Sequence, residues 1–321
     1  MTAVRDLPEQ AMRATLLSLS RRPRLGRLAT RLSFTRSMVA RFVAGETLGE
    51  ALDALDRLRA AGRRTTVDVL GESVATEAAA TAAGDRYLEL IDALAGRGLD
   101  GNVSLKLSQM GLDLGADVCR ANVARIFEAA AATGAFVRID MEDHARTDAT
   151  LATWRELRPI NPASGVVIQA ALRRSVADVT ALIAEGAPIR LCKGAYREPA
   201  TVAFPTKAEV DDSYLDLLGR LLRSGTSPAL ATHDPRMIQA AIDIVERDGL
   251  GRDGFEFQML YGVRPAYQRR LAAEGYKVLV ATPYGPDWYP YLMRRLAERP
   301  ANVGFMLRAI FKEEGRRMRG K

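Results

Sequence analysis

The chain has 321 residues, 48% of them hydrophobic, and a formal net charge of +7. That length suits one large core with terminal helices better than two equal domains. Cys119 and Cys192 are its only cysteines, which excludes a disulfide framework and an evident zinc site.

In chain order, the first segment is the most basic. Residues 1–45 hold nine arginines against Asp6 and Glu9, a local charge of +7. Such an end fits an organellar transit peptide, an amphipathic segment drawn to anionic lipid or nucleic acid, or a solvated helix face. Residues 7–17 read as the start of a folded helix, and no aromatic interleaving or nucleic-acid motif supports a nucleic-acid partner. Residues 33–62, SFTRSMVARFVAGETLGEALDALDRLRAAG, read as further helices.

From about residue 65 short β-branched apolar runs alternate with longer amphipathic stretches. The strand candidates are TTVDVLGE (65–72), NVSLKLS (102–108), FVRIDME (136–142), GVVIQA (165–170), PIRLCKGA (188–195), PALATHD (228–234), FEFQMLYG (255–262) and KVLVATPYG (277–285). Helices fill the gaps: GDRYLELIDALAGRG from Gly84, ADVCRANVARIFEAAAAT from Ala116, and DPRMIQAAIDIVERDG, with Asp234 as N-cap, Pro235 at the first turn and Gly249 at the end. The last helix, DWYPYLMRRLAER, opens at Asp287. The tail from Arg308 to Lys321 carries six basic and two acidic residues.

Eight β–α units in series predict a parallel sheet, and eight is the number that closes it into a TIM barrel. A doubly wound open sheet is the alternative, opposed by the lack of a G-x-G-x-x-G after the first strand. The expected organisation is N-terminal helices over 1–62, a (βα)₈ catalytic barrel over 63–307 and a basic tail over 308–321. No apolar run is long enough to span a membrane and no signal-peptide pattern is present, so a cytoplasmic enzyme is expected.

Chemistry in such barrels sits at the C-terminal strand ends. Those ends carry Glu72, Lys106, Asp140 with Glu142, Gln169, Arg190 with Lys193, His233 and Gln258. Lys106 lies between Leu105 and Leu107, and Asp140 follows an apolar run; burying such groups is costly unless they pair or bind something. Lys106 and Asp140 could neutralise each other, and His233 could be a satisfied core histidine. With His144 the only other histidine, a Ser-His-Asp mechanism is disfavoured, and no H-E-x-x-H or acidic ligand cluster argues for a metal. On the last helix Arg294 and Arg295 follow Trp288, Tyr289 and Tyr291, with Glu298 four residues after Arg294. Two guanidinium groups can flank one carboxylate if that helix lies over the barrel mouth, and Glu298 has the spacing to hold Arg294.

The series LGE (70–72), SLKLS (104–108), DMEDH (140–144), RLCKGAY (190–196), ATHD (231–234), FEFQMLYG (255–262) and YLMRRLAE (291–298) resembles the proline dehydrogenase family, including the corresponding domain of bifunctional proline-utilisation flavoproteins. The resemblance implies a distorted barrel with FAD at its mouth, oxidation of L-proline to Δ¹-pyrroline-5-carboxylate, and a quinone as electron acceptor. It implies that Lys106, Arg294 and Arg295 bind the substrate carboxylate, with Asp140 beside Lys106. Leu260, Tyr196 and Tyr291 would shape the pocket, and Glu72 would close it by pairing with Arg294. Gln169, Arg190, Lys193, Gly194, Ala195 and His233 would hold the flavin, with Gln258 at the same strand ends.

Two positions depart from the family pattern. Ala281 stands in VATPYG where the family usually has a tyrosine, and Ala171 follows Gln169–Ala170 where an aromatic is common. Family members that prefer hydroxyproline carry a smaller residue at the first position. A substrate bulkier than proline is therefore expected, such as 4-hydroxyproline or an N-substituted amino acid, unless a neighbour such as Tyr284 refills the space. A Schiff-base lyase using Lys106 or Lys193 is the remote alternative. The basic ends are compatible with peripheral contact at the inner face of a membrane; oligomeric state stays open.

Overall fold

The computed structural model describes residues 39–298, with side chains up to Met293. The expected tail and most of the expected N-terminal helices lie outside these residues. Local signals set the element ends. Thr47 caps α1 (Leu48–Ala60): its hydroxyl accepts from the Glu50 N–H, and the Glu50 carboxylate accepts from the Thr47 N–H. The same reciprocal box, Thr206 with Glu209, opens α6 (Lys207–Arg223). Asp234 and Pro235 open α7 (Pro235–Arg247) as the sequence suggested.

Further helices are α2 (Glu77–Gly96), α3 (Ala116–Thr133), α4 (Thr147–Leu157), which follows a short 3-10 turn at His144–Arg146, α5 (Ser175–Ala184), α8 (Pro265–Ala273) and α9 (Trp288–Glu298). α2 begins at Glu77, well ahead of the expected Gly84. The alanines in between are strong helix formers, and Thr76 caps the new start.

The strands are β1 (Arg64–Val69), β2 (Asn102–Leu105), β3 (Phe136–Ile139), β4 (Ser164–Gln169), β5 (Ile189–Cys192), β6 (Ala229–Ala231), β7 (Glu256–Leu260) and β8 (Lys277–Tyr284). All are parallel, in sequence order, and β8 pairs with β1 to close the barrel. Several stop short of the apolar runs that announced them. The carbonyl of Lys106 accepts from the amides of both Gln109 and Met110, so the chain turns as soon as β2 ends. Lys106, Asp140, Lys193 and His233 thus stand on the turns just past the strands.

Register decides which face each residue takes. Ser104 pairs with Asp68 and with Arg138, Arg138 with Gly165, Val167 with Arg190, and Gln258 with Leu279. Cross-strand partners share a face, and alternate residues along a strand return to it. One face therefore collects Thr66, Asp68, Ser104, Arg138, Arg190, Gln258 and Ala281. The other collects Val67, Val103, Val137, Val166, Leu191, Leu230, Phe257 and Val278, all members of the main apolar cluster with Leu90, Leu94, Ile126, Trp154 and Leu217 of the helices. Most of the oily core thus lies between sheet and helices, and the lumen face is largely polar, with Val167 and Leu279 among its apolar members. Cys119 belongs to this core on α3, its thiol 3.6 Å from the Leu107 carbonyl.

A smaller apolar cluster joins Trp288, Tyr291 and Leu292 of α9 to Leu70, just past β1, and to Val39 and Val43. This seats α9 at the rim where the strands end. Among the described residues, no helix is long and apolar enough to cross a membrane.

Candidate active site

The lumen's upper layer is a closed ionic cluster. The Lys106 ammonium donates to both Asp68 oxygens at 3.4 and 3.3 Å and to Asp140 Oδ2 at 3.2 Å. Arg190 lies beneath and uses all three of its nitrogens: Nη1 donates to Asp140 Oδ1 at 2.8 Å, Nη2 to Ser104 Oγ at 2.9 Å, and Nε to Gln258 Oε1 at 2.5 Å. Gln258 in turn donates to Glu256 at 2.6 Å, so it fixes the plane of the guanidinium. Tyr87 of α2 donates its hydroxyl to the Ser104 carbonyl at 2.7 Å.

Burial works against the charge of Lys106, but Asp68 and Asp140 outweigh it and hold the ammonium well above its ordinary pKa. Burial pushes the Asp68 carboxyl up, with Asp140 adding repulsion and Lys106 pulling the other way. Two cations and two carboxylates balance in this cluster. An incoming anion therefore needs donors from elsewhere, and the adjacent arginines of α9 are the sequence's candidates. Arg294, Arg295 and Glu298 lie on the backbone of α9, but their side chains are outside the described ones.

Asp68, Ser104 and Tyr87 were not singled out from the sequence. The signal for the first two was present, since Thr66 and Asp68, Ser104 and Lys106, and Arg138 and Asp140 are each two apart. That period marks one face of a strand. Tyr87 arrives from a helix and left no such trace.

The other expected residues are distributed as follows. Gln169 donates to the Glu142 carbonyl at 2.7 Å, and the Glu142 carboxylate accepts from the Ser108 amide at 2.9 Å and hydroxyl at 2.5 Å, so both tie strand-end turns together. Gly194 has φ +106°, and a Cβ there would stand 3.0 Å from Ala171 Cβ and 3.3 Å from Gln169 Oε1. The backbone at Gly194–Ala195 is exposed and can be approached closely. His233 Nε2 accepts from the Leu260 N–H at 2.9 Å, which fixes the end of β7. Leu260 is paired with Ala281, and Tyr196 is exposed on the turn after β5. Glu72 is exposed on the turn after β1.

Three placements add detail to the expected picture. Lys193 does not share the lumen with Arg190. Three residues along an extended chain, it faces the other way, and its ammonium meets Asp211 of α6 at 2.5 Å and Asp234, the N-cap of α7, at 2.8 Å. Tyr291 is only 8% exposed and packs in the apolar cluster of α9. Tyr284, the candidate to refill the space beside Ala281, is buried in the core between sheet and helices, because three positions on a strand change the face. Burial there pushes its hydroxyl up to about 12.

Cys192 shares the lumen face with Arg190. Its thiol donates to the Ile168 carbonyl at 3.6 Å, and burial pushes its pKa up to about 12.

A closed parallel barrel with an ionic cluster at its C-terminal mouth defines a TIM-barrel enzyme. The family model described as proline dehydrogenase matches residues 51–308, and the chain belongs to that family. Its relatives make it an oxidoreductase. It is 41% identical to "Proline dehydrogenase" of Deinococcus radiodurans, across 95% of this chain and 99% of that one. It is 39% identical to "Proline dehydrogenase 1" of Bacillus subtilis, across 94% and 100%. Among solved structures, it is similar to proline utilization A from Bdellovibrio bacteriovorus inactivated by N-propargylglycine. The TM-score is 0.75 and the identity 29%, over 82% of this chain and 32% of that much longer one.

Proposed function

We propose that this chain oxidises proline, or a proline-like α-amino acid, at a bound FAD to the corresponding imine, Δ¹-pyrroline-5-carboxylate from proline, and that a quinone takes the electrons. The observation that carries the reading is the protonated Lys106 clamped by Asp68 and Asp140 at the mouth of a barrel of this family.

The residues at the mouth fit a flavin. Gly194 and Ala195 offer an open backbone, Gln169 Oε1 lies beside them, and Arg190 brings a buried cation held in plane by Gln258. His233 and Lys193 complete the expected set, Lys193 from the α6–α7 side. When bound, the flavin supplies at N5 an acceptor for the hydride on the carbon beside the substrate nitrogen.

The chain's own residues bind and orient. Lys106 turns its N–H donors to Asp68 and Asp140 and keeps 17% side-chain exposure, so one of its two longer bonds to Asp68 would have to open for a donor to reach a substrate carboxylate. Arg294 and Arg295 would supply planar paired donors to the same group, with Glu298 bracing Arg294 and Glu72 closing over it. Leu260, Ala281 and Tyr196 would border the ring, Tyr291 would brace α9, and α9 would exclude water. The catalytic unit is then residues 63–307, with 1–62 packed on it and 308–321 as a basic tail. A cytoplasmic enzyme touching the inner membrane face with its basic ends would meet a membrane quinone.

A second reading concerns substrate size. Ala281 sets only a methyl group beside Leu260, and Tyr284 faces the core on the other side of the sheet, so it adds no bulk there. This supports preference for 4-hydroxyproline or an N-substituted amino acid. The test is anaerobic bleaching of the flavin spectrum with proline, 4-hydroxyproline and open-chain N-substituted amino acids. The bulkier substrates should win, and Ala281→Tyr should shift preference toward proline by about tenfold or more. A wild-type preference for unsubstituted proline would restore the narrower reading, whereas a colourless protein would sink both.

A further inference from the structure

On the outside of the barrel a separate cleft of about 360 Å³ opens between α1 and α8, the two helices that pack on β8. Arg41, Arg57, Arg63 and Arg269 line it with Tyr261 and Gln268, and no carboxylate does. Among the described residues, none of the four arginines is in an ion pair, whereas many other arginines of this chain are. Arg63 Nε is buried with no hydrogen-bond partner. Burial and the charge of Arg269 both act to lower the Arg63 pKa, as expected where like charges converge without a counter-charge. Both ends of the chain are themselves strongly positive, so neither is a natural source of that counter-charge.

The cleft is wired to the mouth. Arg63 Nη1 donates to Gln268 Oε1 at 3.2 Å, and the buried Gln268 donates to the carbonyls of Leu260 at 3.0 Å and Val263 at 2.9 Å. Gly262, in the same turn, has φ +72° and lies so close to Arg41 that a Cβ would stand 1.6 Å from its carbonyl oxygen. The turn that carries Leu260 is therefore built onto the cleft wall.

We propose that this cleft is a binding site for a phosphate-bearing anion, a free phosphate ester or an anionic lipid headgroup, and that its occupation braces the β7–α8 turn. Planar guanidinium groups suit phosphate because each can give two parallel N–H donors. Four arginines with no ion-pair partner among the described residues offer more charge than one carboxylate would answer.

The experiment uses the flavin-loaded full chain and the variant Arg57→Gln/Arg269→Gln, two exposed positions outside the mouth. Inorganic pyrophosphate, against chloride at matched ionic strength, should raise the wild-type Tm by about 5 °C at a hundredfold excess over Kd. The variant should lose that rise. In parallel, both proteins are sedimented with vesicles of phosphatidylglycerol and of phosphatidylcholine. Wild-type binding to phosphatidylglycerol alone, lost in the variant, identifies the headgroup as the source; a Tm rise without sedimentation identifies a free anion. Equal behaviour of wild type and variant in both arms overturns the proposal.

Discussion

Phe257 and Gln258 are neighbours on β7, yet they inhabit opposite chemistries. Phe257 is fully buried among Phe255, Tyr276 and the outer apolar core, in edge-on ring contacts at 5.2 and 5.6 Å. Gln258 is equally hidden but lies in the lumen between Arg190 and Glu256. Barrels of this class usually fill the lumen with branched aliphatic side chains. Here most of the stabilising burial lies outside the sheet, and the lumen, apart from residues such as Val167 and Leu279, is given to charges that balance one another. Separation of the two tasks lets the mouth hold a lysine and an arginine without thinning the core.

That comparison can be broken at its strongest point. Phe257→Ala should cost about 3–5 kcal/mol of stability through lost burial and the cavity left behind. Turnover per folded molecule should change little; urea unfolding with activity normalised to folded protein checks both. A large loss of turnover in the folded fraction would show that shell and lumen are not separable.

The neighbouring change should weigh the other way. Gln258→Met strands Arg190 Nε and should cost a smaller 1–3 kcal/mol or so, the typical range for an unmet buried polar group. It should nevertheless lower kcat/KM by about tenfold or more, because the guanidinium plane beneath Asp140 is no longer fixed. Steady-state kinetics on both variants gives the contrast.

The smallest effect lies outside the lumen. Burial favours the neutral form of Asp211, but hydrogen bonds from Lys193, Lys207 and Arg236 outweigh it and hold the carboxyl down to about 2, against an ordinary 3.8. A lowered acid stabilises the fold above its unfolded value and loses that contribution as pH falls through the folded one. Wild-type stability should therefore drop between pH 3.8 and about 2. Asp211→Asn should start lower and fall less across that window. Parallel curves from Tm measurements across this pH range would remove the cluster's role.

The barrel was legible because β-branched runs and amphipathic stretches alternate eight times, and six runs contain their strands while β1 and β4 start one residue earlier. The mouth was legible in part. Lys106, Asp140 and Arg190 stood out as charges inside apolar runs, and they do meet. The side from which Lys193 approaches was not legible, because it stands on a turn three residues past Arg190, where strand alternation turns it toward Asp211 of α6. Asp68 was overlooked beside Glu72, although its two-residue spacing from Thr66 put it on the inner face. Tyr87 and the four-arginine cleft come from elements remote in sequence, and only the closure of β8 onto β1 brings α1 and α8 close enough to form that cleft.

The thiols have a practical consequence. Burial pushes the Cys119 and Cys192 thiols up to about 12, so at neutral pH both stay overwhelmingly protonated. Alkylating reagents and peroxide act on thiolates, and the folded chain should be nearly silent to both. A single cysteine introduced on α9 could then carry a fluorophore or spin label with almost no background. That label would report how the helix at the rim moves as substrates enter and leave.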